Sequence, residues 1–171
     1  MLEPHLGQIE PLIIIPEYKT ALPGGTRESQ SDVFMLARHA SGTVACTIEG
    51  KVDEPFGPTV CEQMAKETKG KRERLNYLCE RLGLNGCPDD IHYQLLHRTA
   101  SALIEADRFN ASYAAMIVHS FSPDRRWFEA YAAFVQMLGG EAGPNESCCI
   151  VVGGRKLILG WACGDQKYRE S

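Results

Sequence analysis

The clearest hydrophobic pattern in the chain lies between Ser31 and Lys51. Two apolar runs, at 33–37 and 43–48, flank a polar and glycine-containing segment at 39–42. Apolar runs of this length on either side of a turn-forming segment are typical of two antiparallel strands. The pattern therefore predicts a β-hairpin with strands at about 31–38 and 43–51.

The rest of the chain yields shorter elements by the same criteria. Apolar runs predict further strands at 12–15, 113–118, 148–152 and 156–163, the last two joined by a turn at Gly153 and Gly154. Helical spacing predicts a helix that starts near Thr59 with an interruption at Gly70, a second at about 90–108 capped by Asp89 or Asp90, and a third from Ser122 to about Leu138. We expect no helix in residues 1–11.

The order of these elements predicts the fold class. Three strands are followed by two helices, a strand, a helix and two strands. The passage from the strand at 43–51 to the strand at 113–118 should be a right-handed parallel crossover. We therefore expect an α/β fold, in which one mixed sheet carries helices on its faces.

Composition favours one globular domain. The chain has 171 residues, of which 44% are hydrophobic and 23% charged, and this is enough for a sizeable core. No apolar run is long enough to span a membrane, and the N-terminus lacks the pattern of a signal peptide. We therefore expect a cytoplasmic protein with no membrane partner.

The seven cysteines favour a reducing compartment. Their number is odd and no pair has Cys-x-x-Cys spacing, which argues against a disulfide framework and against a structural zinc site. Cys46, Cys148 and Cys149 lie within apolar strand patterns. We therefore predict that these three thiols are buried.

The hairpin brings charged residues together at its open end. Its turn is centred between Ala40 and Ser41, a register that places Asp32 opposite Glu49 with side chains about 5 Å apart. Lys51 lies two residues beyond Glu49, so strand alternation puts it on the same face. Carboxylates grouped in this way, with water or phosphate as the other ligands, usually hold Mg²⁺. The metal would lower the pKa of a bound water, and the lysine would offset charge in the transition state.

This constellation resembles the PD-(D/E)xK nuclease superfamily, which includes many restriction and DNA-repair endonucleases. In that superfamily an Asp on one strand and a (D/E)xK triplet on the next form the metal site. Here Asp32 matches the Asp, and the triplet is matched by Glu49, Gly50 and Lys51. Ser31 stands in place of the Pro, a position that the superfamily keeps loosely. The run PGGTRESQSDVFMLA followed by IEGKVDEPFG is similar to an uncharacterised bacterial group within the superfamily.

The resemblance implies a restriction-endonuclease-like core with a Mg²⁺ or Mn²⁺ site. Asp32 and Glu49 would bind the metal, and the catalytic residues would be Asp32, Glu49, Lys51 and Gln94. Gln94 is included because a polar residue on the helix after the triplet often faces the metal site in the superfamily. DNA is the implied substrate, and a homodimer is considered as well. Members usually begin with a helix before the first strand, and we expect either that this helix is absent here or that the chain is truncated at its N-terminus.

Ordinary structural explanations stay open for these residues. The triplet pattern recurs outside such a hairpin, at Glu17, Glu67 and Asp165. Asp32, Glu49 and Lys51 could be solvated residues at a strand edge, where a lysine discourages edge pairing. Gln94 belongs to a polar stripe on its predicted helix and could equally face solvent. The stripe consists of Gln94, His97, Arg98 and Ser101.

Other polar residues have both a functional and an ordinary interpretation. We expect His97 at the surface or at a helix cap, and His119 to satisfy a backbone hydrogen bond at the end of its strand. Asp53 and Glu54 follow the triplet and are expected in a polar loop, with binding of a second metal as the alternative. Glu28, on the loop before the hairpin, could replace the acidic residue of the missing helix.

Charge leaves the function open between two classes. The net charge of −4 counts against a tight nucleic-acid binder. The segment KETKGKRER at 66–74 is locally basic and forms either a solvated helix face or a surface that follows phosphates. The first hypothesis is a Mg²⁺-dependent phosphodiesterase on DNA, in which Lys51 orients water and Gln94 supports the lysine or the water. The alternative is an inactive nuclease fold that binds nucleic acid or a protein, and a third hypothesis is an enzyme on small phosphorylated substrates.

Overall fold

The computed structural model describes residues 1–168, and within them the chain forms six strands and five α-helices. The strands are β1 (Glu10–Thr20), β2 (Ser29–His39), β3 (Gly42–Lys51), β4 (Tyr113–Ser120), β5 (Ser147–Val152) and β6 (Arg155–Cys163). The helices are α1 (Glu3–Leu6), α2 (Val60–Met64), α3 (Lys69–Arg81), α4 (Tyr93–Arg108) and α5 (Phe128–Met137), and a 3₁₀ turn follows at Gln166–Tyr168.

The six strands form one mixed sheet in the order β1-β2-β3-β4-β6-β5. β2 is antiparallel to both of its neighbours, β3, β4 and β6 are parallel to one another, and β5 is antiparallel to β6. The chain between the parallel strands β3 and β4 carries α2, α3 and α4. The predicted α/β fold, a mixed sheet flanked by helices, is confirmed.

The hairpin of β2 and β3 has the predicted register. Val33 pairs with Ile48, and the ladder continues to the pair of His39 and Gly42 at the turn. Gly42 has a φ of +151°, and a Cβ at this position would lie 2.1 Å from Ser112 Oγ, so the turn requires glycine. A slip of one residue would turn every side chain of a strand to the other face. The register therefore places the two candidate carboxylates across from each other, one position beyond the last pair.

The main core lies between the sheet and α4. It contains the fully buried side chains of Phe34 on β2, Leu96 on α4, Met116 on β4 and Trp161 on β6. Burial of such a side chain stabilises the fold by roughly 1.5–3 kcal/mol. A smaller cluster on the other face of the sheet includes Leu6 of α1. This packing fixes α4 against one face of the sheet and determines which of its side chains reach the end of β3.

β1 is longer than the predicted strand at 12–15 and forms an exposed edge of the sheet. It pairs with β2 over its whole length of 11 residues. Four of its apolar side chains are 37–59% exposed: Leu12, Ile13, Ile14 and Ile15. The predicted strand lies between Pro11 and Pro16, but an edge strand tolerates proline where the missing N–H would face solvent. The short helix α1 also lies in residues 1–11, where no helix was expected.

The first helical segment breaks earlier than predicted. Thr59 forms a capping box with Glu62, so α2 starts at the predicted place, but it ends at Met64. Gly70 lies inside α3 and does not interrupt a helix. A Cβ at Gly70 would lie 2.5 Å from the carbonyl oxygen of Gly24, so this glycine permits a close contact between backbones.

α4 begins at Tyr93, and neither Asp89 nor Asp90 caps it. The residues before it are extended because they bond to the chain that precedes α2. The N–H of Tyr93 donates to the carbonyl of Pro58 at 2.9 Å, and the N–H of Val60 donates to the chain before α4 at 2.9 Å. Backbone pairing thus replaces the predicted side-chain cap.

α5 begins at Phe128, not at Ser122 as predicted. Trp127 precedes it in a left-handed conformation with a φ of +68°, and its indole N–H donates to the carbonyl of Asp53 at 2.9 Å. Ser122 Oγ instead accepts a hydrogen bond from the N–H of Arg126 at 3.2 Å. The loop after β4 is therefore a turn attached to the end of β3, and the helix follows it.

The cysteines are only partly as predicted. Cys46 is buried, but Cys148 is half-buried and Cys149 is exposed, because β5 is the second edge of the sheet. All seven cysteines are free thiols. No helix within residues 1–168 has the length and apolar character needed to cross a membrane.

Candidate active site

The candidate site forms where the end of β3 faces α4. Glu49 and Lys51 are two positions apart, so strand alternation turns both toward the helix. Thr47 lies on the same face and donates from Oγ1 to the carbonyl of Arg98 at 3.2 Å. This bond holds the end of β3 against α4 and brings the polar stripe of the helix over Glu49.

Glu49 lies at the centre of the site. It is only 4% exposed, and both of its carboxylate oxygens accept hydrogen bonds. Oε1 accepts from Lys51 Nζ at 3.2 Å and from Gln94 Nε2. Oε2 accepts from Arg98 Nε at 2.6 Å. The structure therefore brings three of the four predicted residues into direct contact and adds an arginine to them.

Burial governs the ionisation of Glu49. Burial raises the pKa of this carboxyl, and the positive charges of Arg98 and Lys51 lower it without cancelling that effect. The negative charge of Asp32 also raises the pKa of Glu49. Glu49 is therefore a desolvated carboxyl whose charge depends on the cations beside it.

Lys51 is as deeply buried as Glu49, with 4% exposed. Its ammonium lies 3.2 Å from Glu49 Oε1 and 3.7 Å from Glu54 Oε1. It also lies 5.2 Å from the centre of the Phe56 ring, within the range of a cation–π interaction. These three contacts fix the ammonium in one place, so Lys51 is not a solvated lysine at a strand edge.

Asp32 joins the site from the neighbouring strand. It is half-buried, and its Oδ2 accepts a hydrogen bond from the backbone N–H of Gly50 at 2.7 Å. Within residues 1–168 it makes no direct hydrogen bond to the other three predicted residues. Its connection to them runs through Gly50 and through its charge, which acts on Glu49. Asp32 therefore lies beside the contacting group and not within it.

Arg98 is the residue of this site that the sequence did not single out. Its Nε binds Glu49, and its Nη1 donates to Ser29 Oγ at 3.1 Å. Arg98 was visible as a member of the polar stripe, four residues after Gln94. That spacing puts the two side chains on the same helix face, and it was the only available signal.

His97 extends the network away from Glu49. Its Nδ1 lies 2.9 Å from Ser29 Oγ, so it is neither a helix cap nor an isolated surface residue. Burial and the positive charges of Arg98 and Arg74 lower the pKa of His97 to about 3. Ser29 Oγ also accepts from Arg98 Nη1, so this serine connects the histidine to the arginine that binds Glu49.

A cleft of about 590 Å³ opens beside the buried carboxylate. Three residues that bind Glu49 form part of its wall: Lys51, Gln94 and Arg98. Its charged lining consists of four basic and two acidic residues: Arg27, Lys51, Arg74, Arg98, Glu28 and Glu54. A concave surface with an excess of positive charge attracts phosphate-bearing ligands. The wall of the cleft thus carries more basic than acidic side chains, and the buried Glu49 behind it neutralises part of this charge.

Asp53 and Glu54 are already engaged by neighbouring groups. Asp53 Oδ1 lies 3.7 Å from Arg126 Nε and accepts from Ser122 Oγ at 3.5 Å. Glu54 Oε2 accepts from the backbone N–H groups of Val52 and Asp53 at 3.2 and 3.1 Å, and its other oxygen faces Lys51. The loop interpretation of these two residues therefore describes their geometry better than a second metal site.

Other candidates lie outside the contacts of Glu49. His119 packs its ring against Phe121, with centroids 4.4 Å apart, and Glu28 lines the cleft. In the basic segment, Arg74 Nε donates to a loop carbonyl at 2.8 Å and Lys71 Nζ donates to the carbonyl of Gln63 in α2 at 2.7 Å. Arg72 forms an ion pair with Glu67. Three basic residues of this segment thus have structural partners.

The site offers few ligands, but of the type that Mg²⁺ and Mn²⁺ prefer. Within residues 1–168 no three His, Cys, Asp or Glu side chains are grouped closely enough to hold a metal ion. Mg²⁺ commonly takes one or two carboxylates and fills its other positions with water and phosphate. A carboxylate has about four acceptor positions, and three donors occupy three of those of Glu49. The last of these positions and the carboxylate of Asp32 on the next strand are thus what this site could offer to a divalent cation.

The chain is similar to a known protein family. A family model matches residues 1–166, nearly the whole chain, and its description is "Domain of unknown function (DUF6946)". No curated protein matches the chain. No solved structure matches it either.

Proposed function

The chain belongs to this family of unknown function, and from its site we propose that it is a metal-dependent phosphodiesterase that cuts DNA. The proposal depends chiefly on the contact of Lys51 and Gln94 with one oxygen of the buried Glu49, beside Asp32 on the next strand. The resemblance to the PD-(D/E)xK superfamily implies such a group of residues. The mixed sheet with helices on its faces also agrees with the core that the resemblance implies.

Each residue has a role in the proposed site that its contacts support. Asp32 and Glu49 hold Mg²⁺ or Mn²⁺, and the cation supplies positive charge that polarises the phosphate. Lys51 is held before substrate arrives, so its ammonium stabilises negative charge on the phosphate without reorganising. Lys51 also orients the attacking water. Gln94 donates to Glu49 Oε1 and so keeps this carboxylate in one orientation.

The cleft supports DNA as the substrate. Basic side chains outnumber acidic ones in its lining, and Lys51, at which a scissile phosphate would bind, is one of them. The acidic total charge lowers the affinity expected for DNA, so we propose binding through the cleft and not through a broad basic surface. Free cysteines agree with a cytoplasmic location, which we propose as well. The homodimer stays a prediction.

One observation favours a second candidate function. Arg98 neutralises Glu49 through a buried contact at 2.6 Å, and a metal would have to bind beside this cation. In this alternative the chain keeps the nuclease fold but has lost hydrolysis, and the basic cleft binds nucleic acid or a protein. The two candidates differ in whether DNA is cut or only bound.

Cleavage of DNA by the Lys51→Ala variant tests the proposal. We expect the wild-type protein with Mn²⁺ to cut linear, supercoiled or single-stranded DNA. Lys51→Ala should lose activity by about two to three orders of magnitude, the usual effect of removing one electrostatic stabiliser. Lys156→Ala is the matched control, because this lysine is exposed and contacts Tyr113 at the start of β4. Initial rates of cleavage provide the measurement.

The possible results separate the two candidates. Equal cleavage by wild type and Lys51→Ala would show that the activity comes from a contaminant or another site. Binding of DNA without cleavage, measured by fluorescence anisotropy with Mn²⁺ present, would support the inactive binding module. Neither binding nor cleavage would reject both.

A further inference from the structure

Arg98 binds Oε2 of Glu49, the carboxylate oxygen that neither Lys51 nor Gln94 contacts. Its Nε lies 2.6 Å from Oε2, whereas Lys51 and Gln94 both contact Oε1. In two-metal sites, two cations about 4 Å apart share the charge of neighbouring ligands. Here a guanidinium already provides positive charge at the second oxygen of the central carboxylate.

The guanidinium is held in place by the surrounding structure. Arg98 is 9% exposed, its Nη1 donates to Ser29 Oγ at 3.1 Å, and Ser29 is bound in turn to His97. Thr47 on β3 binds the backbone carbonyl of the same arginine. Arginine stays protonated in proteins. Its charge on Glu49 is therefore a permanent part of the site and cannot easily leave to admit a second metal.

The neighbouring carboxylates do not provide a separate place for a second cation. Glu54 is engaged through both oxygens, by Lys51 and by two backbone N–H groups. Asp53 faces Arg126 and Ser122. Of the four carboxylates between Asp32 and Glu54, this leaves Asp32 and part of Glu49 to bind a metal.

We infer that the site holds a single divalent cation and that Arg98 takes the place of the second. This inference rests on the proposed function and deepens it. Asp32 and Glu49 bind the one cation, while Arg98 neutralises Glu49 Oε2 and prevents a second from binding there. Removing the guanidinium would free this oxygen and leave two carboxylates with less compensating charge.

The stoichiometry of Mn²⁺ binding, measured by isothermal titration calorimetry, tests the inference without any assay of activity. We expect one Mn²⁺ per wild-type chain. Arg98→Met keeps the apolar stem of the side chain but removes its charge. This variant should bind two Mn²⁺, because no cation then occupies the second oxygen of Glu49. Arg126→Met is the matched control. It removes the cation beside Asp53 and should still bind one Mn²⁺, since Glu49 keeps its arginine.

Each outcome decides the matter. Two Mn²⁺ per wild-type chain would overturn the inference and leave the proposed function standing. One Mn²⁺ in folded Arg98→Met would also overturn it. No Mn²⁺ binding by the wild type would reject the metal site itself, and the inference with it. Circular dichroism checks folding of each variant. If Arg98→Met does not fold, Arg98→Gln replaces it, because its uncharged polar side chain also removes the cation beside Glu49, and two Mn²⁺ are again expected.

Discussion

Two carboxylates in this fold are each held between two basic side chains, at opposite ends of α4. Near the start of the helix, Glu49 of β3 lies between Lys51 and Arg98. Near its end, Asp107 lies between two arginines from α3 and β6. The same set of charges, one acidic and two basic, is therefore present twice. The surroundings make the two sets behave differently.

The difference begins with exposure to water. The side chain of Asp107 is 44% exposed, whereas Glu49 is buried. Burial is the largest single influence on Asp107 and raises its pKa, but the hydrogen bonds and charges of Arg81 and Arg155 together outweigh it, so the pKa lies below its usual value. For Glu49 the balance is reversed, and burial raises the pKa despite two adjacent cations. Desolvation thus decides which of the two carboxylates is difficult to keep charged.

Contacts with the ends of helices explain why Arg81 and Arg155 lie beside Asp107, and we refer to these three residues as the Asp107 group. Arg81 is the last residue of α3 and donates to the carbonyl of Leu103 at 2.8 Å. Arg155 donates to the carbonyl of Ala111, just after α4. Cations at helix C-termini are favourable because of the partial negative charge there. The Asp107 group therefore connects α3, α4 and β6, while the Glu49 group places its charges at the N-terminal half of α4, beside a cleft.

The largest expected effect comes from changing the buried carboxylate. Glu49→Gln leaves the buried charges of Lys51 and Arg98 without their common partner. Breaking a buried ion pair from one side typically costs about 3–5 kcal/mol. We expect a loss of this size in the free energy of unfolding, measured by urea denaturation at neutral pH.

The matched substitution at the other end sharpens the comparison. Asp107→Asn makes the same chemical change in a half-exposed group, where ion pairs contribute about 0–1 kcal/mol. We expect a loss no larger than this in the same urea experiment. Equal losses in Glu49→Gln and Asp107→Asn would show that burial does not distinguish the two groups.

An effect between these two in size should appear in the pH dependence of stability. The pKa of His97 is about 3 in the folded protein and about 6.5 in an unfolded chain. Between these values the unfolded state binds the extra proton, so His97 reduces stability as pH falls from 6.5, by about 1.4 kcal/mol per pH unit. Glu49 acts in the opposite direction, because its folded pKa is raised.

His97→Gln isolates the histidine contribution. The variant keeps a side-chain oxygen that can accept from Ser29 and removes the titrating group. We expect its unfolding free energy to fall less than that of wild type between pH 6.5 and pH 4.5. Parallel curves for the two proteins would contradict a buried, neutral His97.

Sequence patterns predicted the sheet better than they predicted element boundaries. The hairpin register followed from two apolar runs and a short turn, because alternation with period two allows one pairing that buries the apolar face. The starts of α4 and α5 were wrong because tertiary contacts, such as the bond of Trp127 to the end of β3, override the local capping signals of Asp89 and Ser122. β1 was predicted too short because two prolines conceal an edge strand.

The site was predictable where strand geometry alone determines it. Glu49 and Lys51 share a face by alternation, and Asp32 follows from the register of the hairpin. Gln94 came from the resemblance to a known superfamily. Arg98 was not selected because its role depends on how α4 packs over β3, and the sequence does not specify which member of a polar stripe reaches a given strand residue. The burial of Lys51 was unforeseen for the same reason.

Manganese in a crystal of this protein tests the central claim most directly. Crystals soaked in Mn²⁺ and measured near the manganese absorption edge should show one anomalous peak, about 2 Å from a carboxylate oxygen of Asp32 and of Glu49. The same peak should be missing in Asp32→Asn crystals soaked in parallel. Manganese bound elsewhere in the wild-type crystal, with no peak between Asp32 and Glu49, would contradict the claim that these two carboxylates form a metal site.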